Sequence, residues 1–201
     1  TKRIFHRDAY DSQELLNNLN KSLVTTIDLE DLLTKSARII GDTLKTENCT
    51  FAIRSSKEHS LRHIGGNSGY FSDQTVQHVA SSTEHLKAKI IVSAELGPEK
   101  RTLQGMFHEA KIAVLVKLQG RIQGHVQHPG YILLGQKRSG GLYSDQDIKV
   151  LEIIADELVI AIQNSLRFEE IQQFNITLQE KIEAATKELR HTNAKLKALD
   201  E

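Results

Sequence analysis

Residues 131–162 have the sequence YILLGQKRSGGLYSDQDIKVLEIIADELVIAI, in which an apolar run of strand character leads through a turn into an amphipathic helix. Gly140 and Gly141 supply the conformational freedom that a tight turn needs. Ser144 and Asp147 have the spacing of a capping box, which predicts a helix N-terminus at this point. The apolar residues that follow recur at helical intervals and predict one buried face, formed by Ile148, Leu151, Ile154, Ala155, Leu158 and Ile162. The stretch therefore predicts a last strand followed by a long helix that covers the sheet.

The helical pattern continues beyond this stretch as a seven-residue repeat. Its first and fourth positions, which we call the heptad seam, are mostly apolar and comprise Phe168, Ile171, Asn175, Leu178, Ile182, Ala185, Leu189, Thr192, Leu196 and Leu199. A single helix cannot bury so narrow a seam, so we predict a coiled coil with a partner helix. Asn175 at a core position would fix the register, whereas the flanking charges do not fix the strand orientation. The alternative is a lone surface helix packed on its own domain.

Two amphipathic helices and several short strands precede this region. Asp11 with Glu14, and Asp28 with Asp31, mark two helix starts. The apolar stripes behind them are Leu15, Leu16, Leu19 and Leu23, and then Leu29, Leu32, Leu33, Ile40 and Leu44. Runs rich in β-branched residues predict strands at 49–54, 60–65, 89–94, 112–118 and 131–137, with short helices after Ser72 and over 100–111. This irregular alternation predicts an α+β fold.

The composition excludes several classes of protein. The 26 Lys and Arg residues are balanced by 26 Asp and Glu residues, so no global field attracts nucleic acid. Cys49 is the single cysteine, which rules out an internal disulfide and a multi-cysteine metal cage. The sequence contains no apolar run long enough to span a membrane and no signal peptide. Because the sequence begins with Thr1 and stops inside a charged helical pattern, we expect it to be part of a longer protein.

The motifs of common nucleotide and zinc enzymes are missing from the sequence. Neither G-x-x-x-x-G-K-[ST] nor G-x-G-x-x-G occurs, so the sequence gives no support for phosphate-loop or Rossmann chemistry. His108 and Glu109 begin an H-E-x-x-H motif, but Ile112 stands where the second histidine is required. The nine histidines place no third ligand at a metal-binding spacing, so we predict no metal site.

The stretch 133–147 and the helix after it resemble the end of a GAF domain. In that family a last strand, a Ser-Gly turn and a Tyr-Ser-x-x-Asp helix cap lead into the terminal helix, as in LLGQKRSGGLYSDQD here. The resemblance extends back to 28–33, DLEDLL, which is similar to the usual first helix of the family. It implies an antiparallel GAF-like sheet flanked by helices. The implied organisation is a linker helix at 1–24, a GAF domain at 25–165 and a signalling coiled coil at 166–201.

Both flanks are similar to segments of membrane-anchored bacterial sensor histidine kinases with GAF domains. Residues 5–11, FHRDAYD, resemble the basic and aromatic segment that follows the last membrane span, and 178–189 resemble the coiled coil that leads to the kinase domains. His191 lies in a stretch similar to the H-E-L-R-T-P phosphoacceptor box. Lys187 replaces the histidine of that box, so the phosphoacceptor is expected beyond Glu201.

The resemblance implies a non-catalytic sensory or relay module of a two-component system. Its implied location is the cytoplasm, on the cytosolic face of a membrane-anchored parent. The implied partners are a second copy in a parallel homodimer, kinase domains in cis and a response regulator, with no nucleic acid and with membrane contact only through an upstream segment. No cofactor is implied, because the N-K-F-D-E pattern of cyclic-nucleotide-binding relatives and the Cys-His pair of bilin-binding relatives are missing. The alternatives are a structural dimerisation spacer without a ligand and a GAF-type enzyme.

GAF geometry implies a ligand pocket between the sheet and its covering helices. Because alternate residues of a strand share a face, the expected inward positions are Phe51, Ile53, Val114, Val116 and Leu133. The segments that would cover this face supply the other expected contacts, Tyr70, Val79, His85, Phe107 and His108, with core packing as the alternative for the apolar ones. These walls favour a small and largely apolar ligand. Arg54 and Arg62 lie on neighbouring strands and could approach the rim.

Overall fold

The computed structural model describes residues 11–26, 28–54, 60–67, 69–122 and 125–197, leaving aside the side chains of 121–127 and 196–197. The helices are α1 (Ser12–Thr25), α2 (Leu29–Leu44), α3 (Asp73–Thr83), α4 (Arg101–Glu109) and α5 (Asp145–Lys197). The strands are β1 (Cys49–Arg54), β2 (Leu61–Ile64), β3 (Ile90–Val92), β4 (Val114–Ile122) and β5 (His125–Leu134), with short 3₁₀ turns at Ser93–Glu95 and Pro98–Lys100. The chain divides into two compact units, 1–163 and 164–201, which are described separately.

The first unit is built on one five-stranded antiparallel sheet in the order β2-β1-β5-β4-β3. The predicted α+β fold is thereby confirmed. β5 begins six residues before the predicted start of the last strand, and its pairing with β4 shifts register between Leu118 and Gly120. The shift lies opposite Pro129, which has no N–H to donate to the ladder.

Polar caps start α1 and α2 where the sequence predicts them, whereas the Ser72 side chain makes no capping hydrogen bond at α3 among the described residues. The Asp11 carboxylate accepts from the backbone N–H groups of Gln13 and Glu14 at 2.8 and 3.3 Å. At α2, Asp28 accepts from the N–H of Asp31 at 2.8 Å. These caps satisfy N–H groups that have no partner inside the helix.

The two faces of the sheet are covered by different helices. A Cβ on Gly41 of α2 would lie 3.5 Å from the Cβ of Cys49, and one on Gly120 of β4 would contact Val159 of α5. The apolar faces of α2 and α5 are buried largely as predicted, with Leu32, Leu33, Ile40, Leu151, Ile154, Leu158 and Ile162 fully enclosed. Ile148, at the start of the predicted face of α5, is only half-buried. α3 and α4 lie over the opposite face, where they share one apolar cluster with the sheet.

The second unit is the helical segment of α5 from Asn164 to Lys197. The large apolar side chains of the heptad seam are exposed in the single chain, with values between 42% and 62% for Phe168, Ile171, Leu178, Ile182 and Leu189. Asn175 and Ala185 are also exposed. The side chain of Leu196, all of Leu199 and the basic and aromatic residues before Asp11 lie outside the described part of the chain. The predicted partner helix remains a prediction.

Of the helices that the structure describes, none has an apolar stretch long enough to cross a bilayer.

Candidate functional site

The face of the sheet beneath α3 and α4 is filled by an apolar cluster. Its buried members are Ala52, Phe71, Val76, Val79, Ala80, Ile91, Phe107, Ala110, Ile112, Leu115, Tyr131 and Leu133, all at most 4% exposed. Three predicted pocket residues, Val79, Phe107 and Leu133, meet in this cluster, and Tyr70 packs against it. Among the described residues, these apolar side chains pack into the core.

Four other predicted pocket residues lie on the opposite face of the sheet. In the observed register Leu133 is paired with Thr50 and Leu115, so these three residues point toward α3 and α4. Phe51 and Val116 are both paired with Ile132, Val114 is paired with Leu134, and Ile53 is paired with Gly130. Phe51, Ile53, Val114 and Val116 therefore face α2 and α5, and the expectation that they share a face with Leu133 is wrong.

The polar residues expected at the pocket are directed elsewhere. His85 and His108 are exposed, so neither imidazole enters the apolar cluster. The Tyr70 hydroxyl donates to Glu47 Oε2 at 2.6 Å, while its ring meets Phe71 edge-on at 4.8 Å between centroids. Burial, and then the bond to Glu47, raise the pKa of Tyr70 to about 12. Arg62 pairs with Glu30 of α2.

Charged groups gather where the C-terminus of α3 meets β1, β4 and β5. We call Arg54, Glu84, Lys117, His128 and Tyr131 the basic corner. Arg54 Nη2 donates to Glu84 Oε1 at 3.1 Å and to the hydroxyl of Tyr131 at 3.2 Å. Lys117 is paired with Tyr131 across the sheet, and its Nζ donates to the carbonyls of Leu86 at 2.5 Å and Glu84 at 3.5 Å. These carbonyls follow the last turn of α3, where a cation is favoured.

Two groups of the basic corner have perturbed pKa values. Lys117 is only 3% exposed, and burial lowers the pKa of its ammonium, opposed by the negative charge of Glu84. The pKa of His128 is lowered by burial first and then by the charges of Arg54 and Lys117, with Glu84 acting in the opposite direction. The corner therefore has a positive field that Glu84 only partly cancels.

The sequence predicts Arg54 near the rim of the pocket, but it does not predict that Lys117 belongs to the same polar site. The signal was present, because Lys117 interrupts the apolar run of β4 at a position that shares a face with Leu115. A lysine at an inward position of a buried strand needs a partner for its charge. That requirement is a sequence-level indication of a polar site.

A polar cleft lies near the Ile64 end of β2, whereas the basic corner lies near the Leu61 end. The cleft has a volume of about 520 Å³, and Thr50, His63, Phe71 and Asp73 are among the residues that line it. His63 Nδ1 lies 3.1 Å from Asp73 Oδ1, and its Nε2 is buried without a hydrogen-bond partner among the described residues. The Asp73 carboxylate can therefore orient the imidazole.

A buried ion pair joins the start of α5 to the segment that follows β5. Lys137 Nζ lies 2.7 Å from Asp147 Oδ2, which also accepts from the N–H of Ser144 at 2.7 Å. The Ser144 hydroxyl accepts in turn from the N–H of Asp147 at 3.2 Å, which confirms the predicted capping box. The Tyr143 hydroxyl donates to the carbonyl of Gly135 at 2.7 Å, and burial raises the pKa of this phenol. The terminal motif thus couples a strand to a helix.

Solved structures with a similar architecture include GAF domains. The phycoerythrobilin-bound GAF domain of a cyanobacterial phytochrome is 13% identical, with a TM-score of 0.56, over 80% of this chain and 99% of that one. The GAF domain assigned to a sensor histidine kinase of Pseudomonas syringae pv. tomato is 11% identical, with a TM-score of 0.54, over 81% and 92% of the two chains. The GAF domain of an Acinetobacter phosphoenolpyruvate-protein phosphotransferase is 14% identical, with a TM-score of 0.54, over 81% and 99%.

The chain therefore has a GAF-like α+β fold, as the terminal motif predicted. No protein-family model matches the sequence, and no curated protein matches it. At identities of 11–14% the likeness establishes the fold and leaves the function to be argued from the chain itself.

Proposed function

We propose that this chain is a non-catalytic sensory or relay module of a sensor histidine kinase in a bacterial two-component system. In this proposal the unit at 1–163 receives a signal, and the helical segment beyond it delivers the signal to kinase domains that follow in the parent protein. The parent is anchored in the membrane through an upstream segment, and the module acts in the cytoplasm. A response regulator is the expected partner of the parent.

The observation that carries the proposal is the attachment of α5 to the sheet. The Lys137–Asp147 ion pair is 5% and 1% exposed, so the segment after β5 and the first turn of α5 cannot separate without exposing or unpairing buried charge. α5 then runs as one helix to Lys197 and carries the heptad seam. A displacement of the sheet would therefore reach the helix through a stiff connection, as a relay requires.

The exposed heptad seam supports a parallel homodimer. Large apolar side chains at seven-residue spacing are unfavourable in water and are the usual contact of a coiled coil. Parallel packing would bring the two C-terminal ends together, which is the geometry needed to pass one of two helix arrangements to paired kinase domains.

Cysteine cross-linking tests both parts of the proposal. In the Leu178→Cys variant we expect rapid disulfide formation between two chains, because equivalent seam residues face each other in a parallel dimer. Ile176→Cys lies off the seam on the same helix and should cross-link more slowly; the buried Cys49 is the internal control. In the Asp147→Asn background the cross-linking rate at 178 should change. Equal rates at 176 and 178 would contradict the seam, and an unchanged rate at 178 in the Asp147→Asn background would contradict the relay.

A structural spacer without a ligand is the second candidate. The filled cluster beneath α3 and α4 favours it, because Val79, Phe107 and Leu133 are fully enclosed by other side chains of the protein. A spacer would dimerise through the same seam but would bind no small molecule. The two candidates therefore differ in ligand binding and agree on assembly.

A further inference from the structure

Among the described residues of the basic corner, hydrogen-bond donors outnumber acceptors. Lys117 Nζ has three N–H groups and the structure gives it two carbonyl acceptors, one of them at the long distance of 3.5 Å. Among the described residues, the Arg54 guanidinium bonds to Glu84 and Tyr131, in both cases through Nη2. The Tyr131 hydroxyl accepts from Arg54, and no described residue accepts its own O–H.

The described cationic side chains of the basic corner also outnumber the anionic ones. Arg54 and Lys117 are cationic, and of the described residues at the corner Glu84 alone is anionic. Burial is the first cause of the lowered pKa of His128, and the charges of Arg54 and Lys117 act in the same direction. Donors and field together favour an anionic acceptor.

The corner also has space for a small group. A cavity of about 30 Å³ lies between Arg54, Gln77, Ser81, Glu84 and Tyr131, with Leu61 and Ala80 as its apolar walls. A volume of this size holds a water-sized group, so a bulky anion does not fit without displacement of a side chain. The Glu84 side chain is 61% exposed, and its carboxylate can move into solvent. Its departure would vacate a carboxylate-shaped position on Arg54.

We propose that the basic corner is a binding site for a small monocarboxylate, whose carboxylate group replaces Glu84 on the Arg54 guanidinium. The planar fork of arginine matches a carboxylate in two parallel hydrogen bonds, and the Tyr131 hydroxyl supplies a further donor. The short apolar remainder lies against Leu61 and Ala80. In the proposed relay, a small monocarboxylate would be the signal. To that extent this inference rests on the proposed function, although binding itself is measured independently.

Ligand binding at this site would alter contacts between α3 and the sheet. Glu84 follows the last residue of α3, and its own carbonyl is one of the acceptors of the Lys117 ammonium. Release of the Glu84 side chain from Arg54 therefore changes the contacts that hold the end of α3 to β1.

Calorimetric titration of the complete 201-residue chain with acetate and propionate, at constant ionic strength in chloride, tests the assignment. We expect saturable binding that Arg54→Gln weakens about tenfold or more, because it loses a charge-assisted contact. Glu84→Gln should bind several-fold more tightly, since the internal competitor has lost its charge. Arg62→Gln is the matched control, because Arg62 also pairs with an exposed glutamate, Glu30, and should leave affinity unchanged. Inorganic phosphate should bind more weakly than acetate.

The outcomes separate this assignment from the proposed function. Affinity that is unchanged in Arg54→Gln, or reduced as much in Arg62→Gln, would overturn the site, as would an absence of saturable binding. Arg54→Lys keeps the charge without the planar fork and should weaken binding several-fold, which covers the case in which Arg54→Gln fails to fold. Sedimentation on the same samples reports assembly. A dimer that binds no carboxylate refutes the corner alone, whereas a monomer that binds it refutes the relay alone.

Discussion

The ammonium of Lys137 lies 2.7 Å from the carboxylate of Asp147, and both side chains are almost fully removed from solvent. Lys137 also lies over the ring of Tyr143, with Nζ 5.5 Å from the ring centroid. Each charge was transferred from water into the interior, so each depends on the other for compensation. The pair joins Lys137, which lies shortly after the last strand, to the first turn of the terminal helix, and it gives the glycine-rich turn a fixed geometry.

Removal of one member of this pair should be costly. Asp147→Asn leaves the Lys137 charge buried without its counter-ion, and we expect a loss of about 3–5 kcal/mol in the free energy of unfolding. Denaturant titration measures this loss. Lys35→Gln is the control, since Lys35 and Asp31 form an ion pair at 2.6 Å whose side chains are about half exposed, and it should cost under about 1 kcal/mol. Equal losses in the two variants would contradict the interpretation.

His128 should make the stability depend on pH. Its pKa is lowered in the folded state, so between that value and the ordinary value of about 6.5 the unfolded chain binds more protons. Stability should therefore increase as the pH rises through this window. His128→Asn should remove this part of the pH dependence, which denaturant titrations at several pH values would measure. Arg54→Gln should reduce it, because the charge of Arg54 lowers the same pKa. A His128→Asn profile that coincides with the wild-type profile would contradict the prediction.

The fold was predictable because its determinants are local. The caps at Asp11, Asp28 and Ser144 and the buried stripes of α2 and α5 all agree with the sequence, since each depends on residues within a few positions of one another. The bounds of β5 were less accurate, because a proline and a register shift inside the strand obscure its periodicity.

The candidate site was harder to predict because it depends on distant pairing. Alternation correctly groups Phe51 with Ile53 and Val114 with Val116, but it does not say which face lies beneath α3 and α4. That choice follows from the pairing of β5 with both β1 and β4, and the β1–β5 pairs link residues about 80 positions apart in sequence. The same strand pairing brings Arg54 and Lys117 close to the end of α3.

The loop after β2 should tolerate no side chain at Gly66. Gly66 has φ +68°, and a Cβ there would contact Thr50 Oγ1 and lie 2.6 Å from Asn48 Oδ1. Asn48 is itself engaged, because its Oδ1 accepts from the N–H of Asn67 at 2.6 Å. Gly140 has a similar φ of +72° with no atom within 4 Å of the added Cβ, so Gly140→Ala should cost only the backbone strain of about 1–2 kcal/mol. Gly66→Ala should lower the thermal midpoint by more than Gly140→Ala; a smaller shift at Gly66 would show that the loop relaxes freely.

The last prediction concerns the heptad seam. Ile182 is 57% exposed in the single chain and occupies a core position of the predicted coiled coil, so Ile182→Lys would place a charge in the interface of a dimer. We expect the dimer dissociation constant to rise at least about tenfold, which is the effect of about 1.4 kcal/mol. Sedimentation at a series of concentrations measures it.

Ile176 provides the matched control for this experiment, because it is 53% exposed on the same helix but lies outside the seam. Ile176→Lys makes the same chemical change and should leave the dissociation constant within a factor of about two, since a solvent-facing lysine is well tolerated on a helix. Equal weakening by the two substitutions would mean that association depends on general hydrophobicity and not on the seven-residue pattern. A monomer at high micromolar concentration for the unmodified chain would remove the coiled coil from the proposed function altogether.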